Sequence, residues 1–306
     1  MNFIFIGGTY RGKKLFESLL KNKYIPDYIF ILKEDAHENK KYSEDIKIIA
    51  NSHNIPFQIK KKLSKEDEII FKEQKRDFAI ICGWRTIINF DLNKYFKLGL
   101  LAAHDSLLPE YRGFAPINWA IINGETKTGV TLFQINNSEV DSGKILNKIE
   151  VNILPNEYAI EVYEKITNAT VKIINDFIKN YINSSYTLKE QDHKNATYTC
   201  KRIPLDGLVN WHKSSKEIYN LIRALAPPYP CAYTIYEKEK YFIRKAEIGE
   251  YNDRNYIGRI IGRVINIDKF GIEILCGEGS IKITEWENQN GIENPNILIK
   301  KYSTTF

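Results

Sequence analysis

A histidine directly after a buried strand is the residue of this sequence best suited to chemistry. The apolar run Leu98–Ala103 leads into His104-Asp105-Ser106. Open α/β sheets bind ligands beyond the carboxyl ends of their strands, and an imidazole exchanges a proton near neutral pH. A lone histidine is more often a core or surface residue without a role in chemistry. The position of His104 directly after the strand is what predicts a ligand site there.

Further polar segments follow this histidine in a fixed order. They read His104-Asp105-Ser106-Leu107-Leu108-Pro109-Glu110-Tyr111-Arg112-Gly113, then Gly124–Thr131, then Asp141-Ser142-Gly143. Ser106 does not stand in a G-x-S-x-G elbow, so a turn or capping role is expected of it rather than nucleophilic attack.

The segment Gly7-Gly8-Thr9-Tyr10-Arg11-Gly12 lies between a first strand and a helix. Such a turn presents backbone N–H groups to an anion, which predicts a tight turn or a phosphate contact through Arg11. The segment lacks the full G-x-G-x-x-G spacing, and Glu34-Asp35 is a poor match for the acidic residue of a dinucleotide site. A nicotinamide cofactor is therefore not expected.

The elements that position these residues alternate between strand and helix in the first half. Apolar runs predict strands at Asn2–Ile6, Asp27–Leu32, Pro56–Ile59, Phe78–Cys82 and Leu98–Ala103, and helical patterns lie between them at Lys13–Asn22, Ser43–Asn54 and Ser64–Lys75. A helix at Pro116–Asn123, strands near Gly129–Gln134 and Lys144–Val151, and a long helix from Asn156 to about Ile182 follow. This alternation predicts an α/β fold with a Rossmann-like, mostly parallel sheet.

The second half reads as a smaller, strand-rich domain. The polar stretch Asn183–Ala196 predicts a linker, and Ser214 with Glu217 three residues later predicts a capping box that begins a short helix. Five short strands are expected at Ala232–Tyr236, Tyr241–Ile248, Gly258–Ile267, Gly271–Cys276 and Ser280–Glu285. They suggest a small OB-like barrel. We expect domains at 1–185 and 206–306, joined by a linker at 186–205.

Composition narrows the class of protein. The chain has 306 residues, of which 43% are hydrophobic and 27% charged, which excludes a disordered or collagen-like chain. No apolar run reaches the ~18 residues of a membrane span, and the amino terminus lacks a signal-peptide pattern, so a cytoplasmic protein without a membrane partner is expected. The four cysteines lie far apart, so neither a disulfide framework nor a metal site is expected.

The charge pattern is compatible with an anionic small molecule. The net charge of +6 comes from 44 basic and 38 acidic residues, and the basic residues are dispersed. Dispersed lysines are typical of a solvated surface and argue against a nucleic-acid partner. The strand edges of the second region are candidates for a homodimer contact.

The ordered motifs resemble the signature of folate-dependent formyltransferases. In that family an Asn-x-His precedes Ser-Leu-Leu-Pro-x-Tyr-Arg-Gly, and a later Asp-x-Gly completes a catalytic trio. The stretch from Arg112 to Glu125, Arg-Gly-Phe-Ala-Pro-Ile-Asn-Trp-Ala-Ile-Ile-Asn-Gly-Glu, is similar to the branch that formylates nucleotide-linked 4-amino sugars. Arg202, Trp211-His212-Lys213 and Ile222-Arg223-Ala224 resemble the start of the family's carboxyl-terminal domain.

The resemblance implies a role for each motif residue. Formyl transfer to an amine passes through a tetrahedral intermediate, which needs a base for the amine proton and donors for the oxyanion. His104 fits the base, Asp141 fits its electrostatic partner, and the substrate amine attacks directly. The family's asparagine falls at Ala102, so this chain lacks the usual amide donor. A natural branch with other donors, an engineered inactive variant and a non-catalytic relative all remain open explanations.

The resemblance also implies where the ligands lie. The pterin of the formyl donor is expected against Trp84, Arg85, Thr86, Ile87 and Ile88 and the loop Asn136–Asp141, which includes Glu139. The sugar nucleotide is expected on the other side, against Gly8, Thr9, Tyr10, Arg11, Asp105, Tyr111, Arg112 and Arg202. For the arginines, structural ion pairs are the alternative, and for Ile87 and Ile88 the alternative is core packing.

The function implied is transfer of a formyl group from N10-formyltetrahydrofolate to an amino sugar carried on UDP or dTDP. Formylation of methionyl-tRNA is the alternative within the same fold. The first glycine segment lacks the Gly-Thr-Pro-x-Phe form associated with that branch, and no strongly basic loop is evident. A protein that binds folate or a sugar nucleotide without catalysing transfer is the alternative from another class, motivated by Ala102.

Overall fold

A computed structural model of the chain describes residues 1–35, 38, 40–86, 88, 90–136, 139–289 and 291–306. Two units are present. The first comprises Met1–Gly113, Gly129–Val151 and Lys165–Tyr198, and the second comprises Phe114–Thr128, Asn152–Glu164 and Thr199–Phe306.

The regular elements alternate in the first half of the chain and are mainly strands in the second. The strands are β1 (Phe3–Gly7), β2 (Tyr28–Leu32), β3 (Phe57–Lys60), β4 (Phe78–Cys82), β5 (Leu100–His104), β6 (Arg112–Gly113), β7 (Lys127–Gln134), β8 (Ile145–Asn152), β9 (Tyr198–Thr199), β10 (Ala232–Tyr236), β11 (Glu239–Ile248), β12 (Val264–Asp268), β13 (Gly271–Leu275), β14 (Ser280–Asn288) and β15 (Gly291–Glu293). The α-helices are α1 (Thr9–Lys21), α2 (Ser43–Ser52), α3 (Glu68–Lys72), α4 (Pro116–Ile122), α5 (Ala159–Ile182) and α6 (Ser215–Leu225).

The sheet of the first unit has the strand order β3-β2-β1-β4-β5-β7-β8. Strand β1 pairs in parallel with β2 and β4, β4 pairs in parallel with β5, and β7 pairs with β5 in the antiparallel direction. Every residue of β1 and β4 is buried, as expected for central parallel strands whose two faces are covered. The predicted α/β fold with a mostly parallel sheet is confirmed.

Helices α1 and α5 bury apolar side chains that the sequence spaces at three and four residues. Helix α1 buries Leu15, Phe16 and Leu19. Helix α5 buries Ile166, Ile173, Ile174, Phe177 and Ile178. Helix α5 begins at Ala159 instead of near Asn156, because the preceding residues form a turn in which the N–H of Glu157 donates to the carbonyl of Leu154 (3.1 Å).

The second unit contains an antiparallel sheet with the order β10-β11-β14-β13-β12, and β15 pairs with β14. This confirms the prediction of a separate strand-rich part. The strand expected over Gly258–Ile267 begins only at Val264, because the chain turns before it, where Gly262 has a φ of +79°. Among the described residues, no helix is both long and apolar enough to span a bilayer.

The predicted capping box starts helix α6. The hydroxyl of Ser214 accepts from the N–H of Glu217 (3.2 Å), and the Glu217 carboxylate accepts from the N–H of Ser214 (3.0 Å). Two N–H groups near the start of the helix thus gain partners. The bond from Lys213 and then the Ser214 N–H lower the pKa of Glu217 to about 2.

We expect Glu217→Gln to destabilise the protein at pH 7 by about 0.3–1 kcal/mol, the usual range for a carboxylate in a first helical turn. Folding lowers the pKa of this group, so its contribution is complete above its ordinary pKa and is lost as the pH falls toward 2. Urea unfolding at pH 7 and at pH 3 measures the difference, which should be smaller at pH 3. The exposed Glu247 supplies the control Glu247→Gln, and an equal penalty at both pH values would contradict the linkage.

Candidate active site

The chemistry-bearing residues of the first unit follow the carboxyl ends of its parallel strands. Gly8 follows β1, Trp84 lies two residues beyond β4, and His104 ends β5. Because β1, β4 and β5 run in parallel, these ends meet at one edge of the sheet.

His104 is held between two acceptors. Its side chain is nearly buried, with 9% of the residue exposed. Nε2 lies 2.8 Å from the backbone carbonyl of Tyr111, and Nδ1 lies 3.4 Å from Oδ2 of Asp141. Since a carbonyl oxygen can only accept, Nε2 is the donor in this contact, and Nδ1 is the nitrogen that faces the carboxylate. The sequence-predicted pair of His104 and Asp141 is thus brought together.

The carboxylate of Asp141 is fixed by the backbone around it. Asp141 has a φ of +51°, a left-handed conformation that is uncommon outside glycine. Its Oδ2 accepts from the N–H of Gly113 at 2.9 Å. A proton on Nδ1 of His104 would therefore face a negative charge held in place.

The loop between His104 and Tyr111 is tied down by hydroxyl groups. Ser106 Oγ donates to the carbonyl of Glu110 (2.6 Å), which matches the expected turn role. Thr131 accepts from the N–H of Leu108 (3.0 Å) and donates to the carbonyl of Ser106 (2.7 Å). These bonds fix the path of the loop that delivers the Tyr111 carbonyl to His104.

A cavity of about 240 Å³ lies beside this pair. Its lining includes Ala102, His104 and Asp141, the apolar side chains of Ile81, Ile88, Phe133 and Ile135, and the polar residues Trp84, Thr86 and Glu139. The indole nitrogen of Trp84 and the hydroxyl of Thr86 are buried and have no hydrogen-bond partner among the described residues. Apolar walls with such orphaned polar atoms suit a flat, mostly apolar ligand with polar groups at its edge.

Ala102 lies on the same face of β5 as His104, because side chains two residues apart on a strand share a face. It pairs with Ile81 on one side and with Phe133 on the other. Its methyl group offers no hydrogen bond to the cavity.

The segment expected to meet a diphosphate starts helix α1. Gly8 N–H donates to the carbonyl of Cys82 (3.2 Å), and Tyr10 packs near the ring of Tyr42. Arg11 is buried and forms an ion pair with Asp105, while its Nε donates to Thr167 (3.3 Å). Two residues assigned to substrate binding, Arg11 and Asp105, thus bind each other.

The other arginines expected to contact a ligand differ in burial and in their binding partners. Arg112 is completely buried instead of facing a ligand, because its guanidinium group donates to Gln191, Glu139 and Tyr198. Arg85 is exposed and forms two bonds with Glu38 (2.5 and 2.7 Å). Arg202 belongs to the second unit, where it stacks over Trp119 and burial lowers its pKa. Ile87 lies outside the described residues.

Two residues of this region had no signal in the sequence. Gln191, 5% exposed, and Thr197 fall within residues 186–205, the segment expected to be a linker. That stretch is bonded to the first unit, since Lys189 and Ile145 exchange backbone hydrogen bonds of 2.8 and 2.9 Å. A polar residue shows its binding partners only in the fold, so no spacing could have identified Gln191. Among the described residues, no group of three or more His, Cys, Asp or Glu side chains could hold a metal ion.

Both the amino-terminal and the carboxyl-terminal parts of the chain match known protein families. Residues 1–178 match the formyl transferase family, and residues 203–295 match the formyl transferase carboxyl-terminal domain. The bifunctional polymyxin resistance protein ArnA of Wigglesworthia glossinidia brevipalpis is 32% identical over 266 residues, which are 85% of this chain and 40% of that protein. This chain thus spans well under half the length of that relative.

Solved structures show the same fold. An N-formyltransferase from Helicobacter canadensis, in complex with folinic acid and dTDP-3-aminofucose, has a TM-score of 0.71 at 22% identity and covers 92% of this chain and 98% of its own. WlaRD, a sugar 3N-formyl transferase solved with dTDP and 5-N-formyl-THF, has a TM-score of 0.70 at 24% identity and covers 93% and 97%. With the matched domains and the site at the strand ends, the chain belongs to the formyl transferase family.

Proposed function

We propose that the protein transfers a formyl group from N10-formyltetrahydrofolate to the amino group of a nucleotide-linked amino sugar. The observation that carries the proposal is the placement of the His104 ring. Its Nε2 is hydrogen-bonded to the carbonyl of Tyr111, and its Nδ1 faces the carboxylate of Asp141 beside a cavity. A base nitrogen with a carboxylate beside it, at the edge of a cavity, is what amine acylation needs.

His104 moves one proton in this scheme. The amine nitrogen bonds to the formyl carbon, and Nδ1 accepts a proton from that nitrogen. Asp141 then stabilises the imidazolium, because its carboxylate lies 3.4 Å from Nδ1. When the bond between the formyl carbon and N10 breaks, His104 returns the proton to N10. The products are the formylated amine and tetrahydrofolate, and His104 ends in its initial state.

The donor is proposed to occupy the cavity beside His104. Its apolar walls fit a pterin ring, and the orphaned atoms of Trp84 and Thr86 fit the polar edge of such a ring. We assign Trp84, Arg85, Thr86, Ile88, Glu139 and Asp141 to this side. The folate ligands of the two similar structures support the assignment.

The acceptor is proposed to be a sugar on UDP or dTDP, with its diphosphate near Gly8, Thr9 and Tyr10 at the start of α1, where a helix attracts anions. Arg11, Asp105 and Tyr111 stay candidates for this side, whereas Arg112 is completely buried and its guanidinium group donates to protein acceptors. The stretch 112–125 favours an amine on C4, whereas the two similar structures concern 3-amino sugars.

The test is an assay of the purified chain with N10-formyltetrahydrofolate and UDP- and dTDP-linked sugars that carry an amine on C3 or C4. Mass spectrometry of the nucleotide sugar reads the product. We expect formylation of one nucleotide sugar. Methionyl-tRNA serves as a comparison, assayed at two salt concentrations because binding to a phosphate backbone weakens steeply with salt.

Product from methionyl-tRNA alone would replace the sugar assignment. Binding of a sugar nucleotide in calorimetry, without product at any enzyme concentration, would instead assign a non-catalytic binder.

A further inference from the structure

The chain between residues 189 and 198, here called the 189–198 segment, forms hydrogen bonds with the backbone of the two residues that hold His104. Those residues are Tyr111, whose carbonyl meets Nε2 of His104, and Asp141, whose carboxylate faces Nδ1. They lie in loops separated by some thirty residues, and the Gly113 N–H joins the two loops directly at the Asp141 carboxylate. The 189–198 segment adds hydrogen bonds to each of the two loops.

Gln191 supports the Asp141 side. Its side-chain nitrogen donates to the carbonyls of Asp141 (2.8 Å) and Gly143 (2.7 Å). Its oxygen accepts from Nε (3.2 Å) and Nη2 (2.6 Å) of Arg112. The buried amide thus has its two N–H groups and its oxygen satisfied, which leaves it one orientation. That orientation holds Asp141 in its left-handed conformation.

Thr197 supports the Tyr111 side. Its hydroxyl accepts from the N–H of Tyr111 (2.8 Å), and its carbonyl accepts from the N–H of Arg112 (2.9 Å). Tyr111 has a φ of +56°, so this peptide is also held in an uncommon conformation. The bonds direct the Tyr111 carbonyl at Nε2 of His104.

Arg112 connects the two supports. Its side chain reaches Gln191 and, through Nη1, Glu139 (3.0 Å) and Tyr198 (3.1 Å). Its own N–H is bonded to Thr197. The buried Arg112 therefore joins the 189–198 segment both to the loop that carries Tyr111 and to the loop that carries Glu139.

We infer that the 189–198 segment positions the His104–Asp141 pair, and that Gln191 is a positioning residue that sets the Asp141 carboxylate against Nδ1. The expected effect on kcat rests on the proposed function. The protonation pattern of the His104 ring can be measured without substrate.

The first test compares Gln191→Ala with Gln191→Glu. Glutamate keeps the acceptor for Arg112 but removes both donors to the carbonyls of Asp141 and Gly143. We expect both variants to lower kcat by about 10–100-fold, because a displacement near 1 Å in an active site can cost ~10²-fold. KM for the two substrates should stay within about twofold, since the interaction affects the transition state and not ground-state binding.

The controls separate positioning from folding. Gln289→Ala removes an exposed glutamine that donates to Glu239 in the second unit, and it should leave kcat unchanged. Thr197→Val removes the hydroxyl that accepts from the N–H of Tyr111 and should lower kcat in the same way. A variant whose kcat falls while its melting temperature matches the wild type supports the inference.

Nitrogen-15 NMR of the His104 ring provides a readout without substrate, with His104→Ala identifying the signal. The wild type is expected to show the Nε2-protonated tautomer, and the Gln191 variants a mixture of tautomers. An unchanged tautomer together with a kcat within twofold of the wild type in both Gln191 variants would overturn the inference. If the wild type forms no product, the proposed function fails, and the tautomer alone decides whether Gln191 positions the pair.

Discussion

Replacing His104 with alanine is expected to lower kcat for formyl transfer by about 10²–10⁴-fold, the usual contribution of a positioned general base. The substitution removes the nitrogen that we propose accepts the amine proton. It also removes the cation that Asp141 would stabilise at 3.4 Å. Because His104 lines the cavity and does not fill it, we expect donor and acceptor still to bind, with the loss mainly in kcat.

The matched control is His53→Ala, since His53 is exposed beyond helix α2 and far along the chain from the site. Asp141→Asn supplies a second comparison, because the amide keeps the shape of the carboxylate but not its charge. Its loss should be smaller than that of His104→Ala, since the base itself remains. Turnover near the wild-type value in His104→Ala would refute the base assignment and, with it, the proton path.

The fold could be predicted from the sequence because its signals are local. Fully buried central strands read as apolar runs, and β1, β4 and β5 lie within two residues of the expected bounds. The capping box of Ser214 and Glu217 marks the start of α6, and it too depends on residues close together in the sequence. Each of these features depends on residues close together in the chain.

The supports of the site could not be predicted, because they depend on residues far apart in the chain. Gln191 bonds to the carbonyl of Asp141 across fifty positions, and Arg112 bonds to Gln191 across seventy-nine. The motif made Arg112 look like a ligand contact, since an arginine beside a catalytic loop suits phosphate. Only the fold shows that its guanidinium group is buried among protein acceptors.

Ala102→Asn is expected to raise kcat by about 10²–10³-fold, the effect usually seen when a single oxyanion donor is present or absent. Position 102 shares a strand face with His104 and lines the same cavity, so an amide placed there points toward the reacting carbonyl. The cavity of about 240 Å³ has room for the added atoms. Ala102→Val adds similar bulk without a donor and should give no gain.

The result also shows whether another group of this chain donates a hydrogen bond to the oxyanion in place of that amide. A large gain would mean that no other group donates to the oxyanion. No gain would mean that a donor is already in place. The indole nitrogen of Trp84 and the hydroxyl of Thr86, which have no partner among the described residues, are candidates, and one of them would then face the oxyanion instead of the pterin edge. In that case Trp84→Phe or Thr86→Val should lower kcat in the Ala102 chain, and Ala102→Asn should restore it. Rescue would identify the donor, because an added amide compensates only for a missing hydrogen bond to the same oxygen.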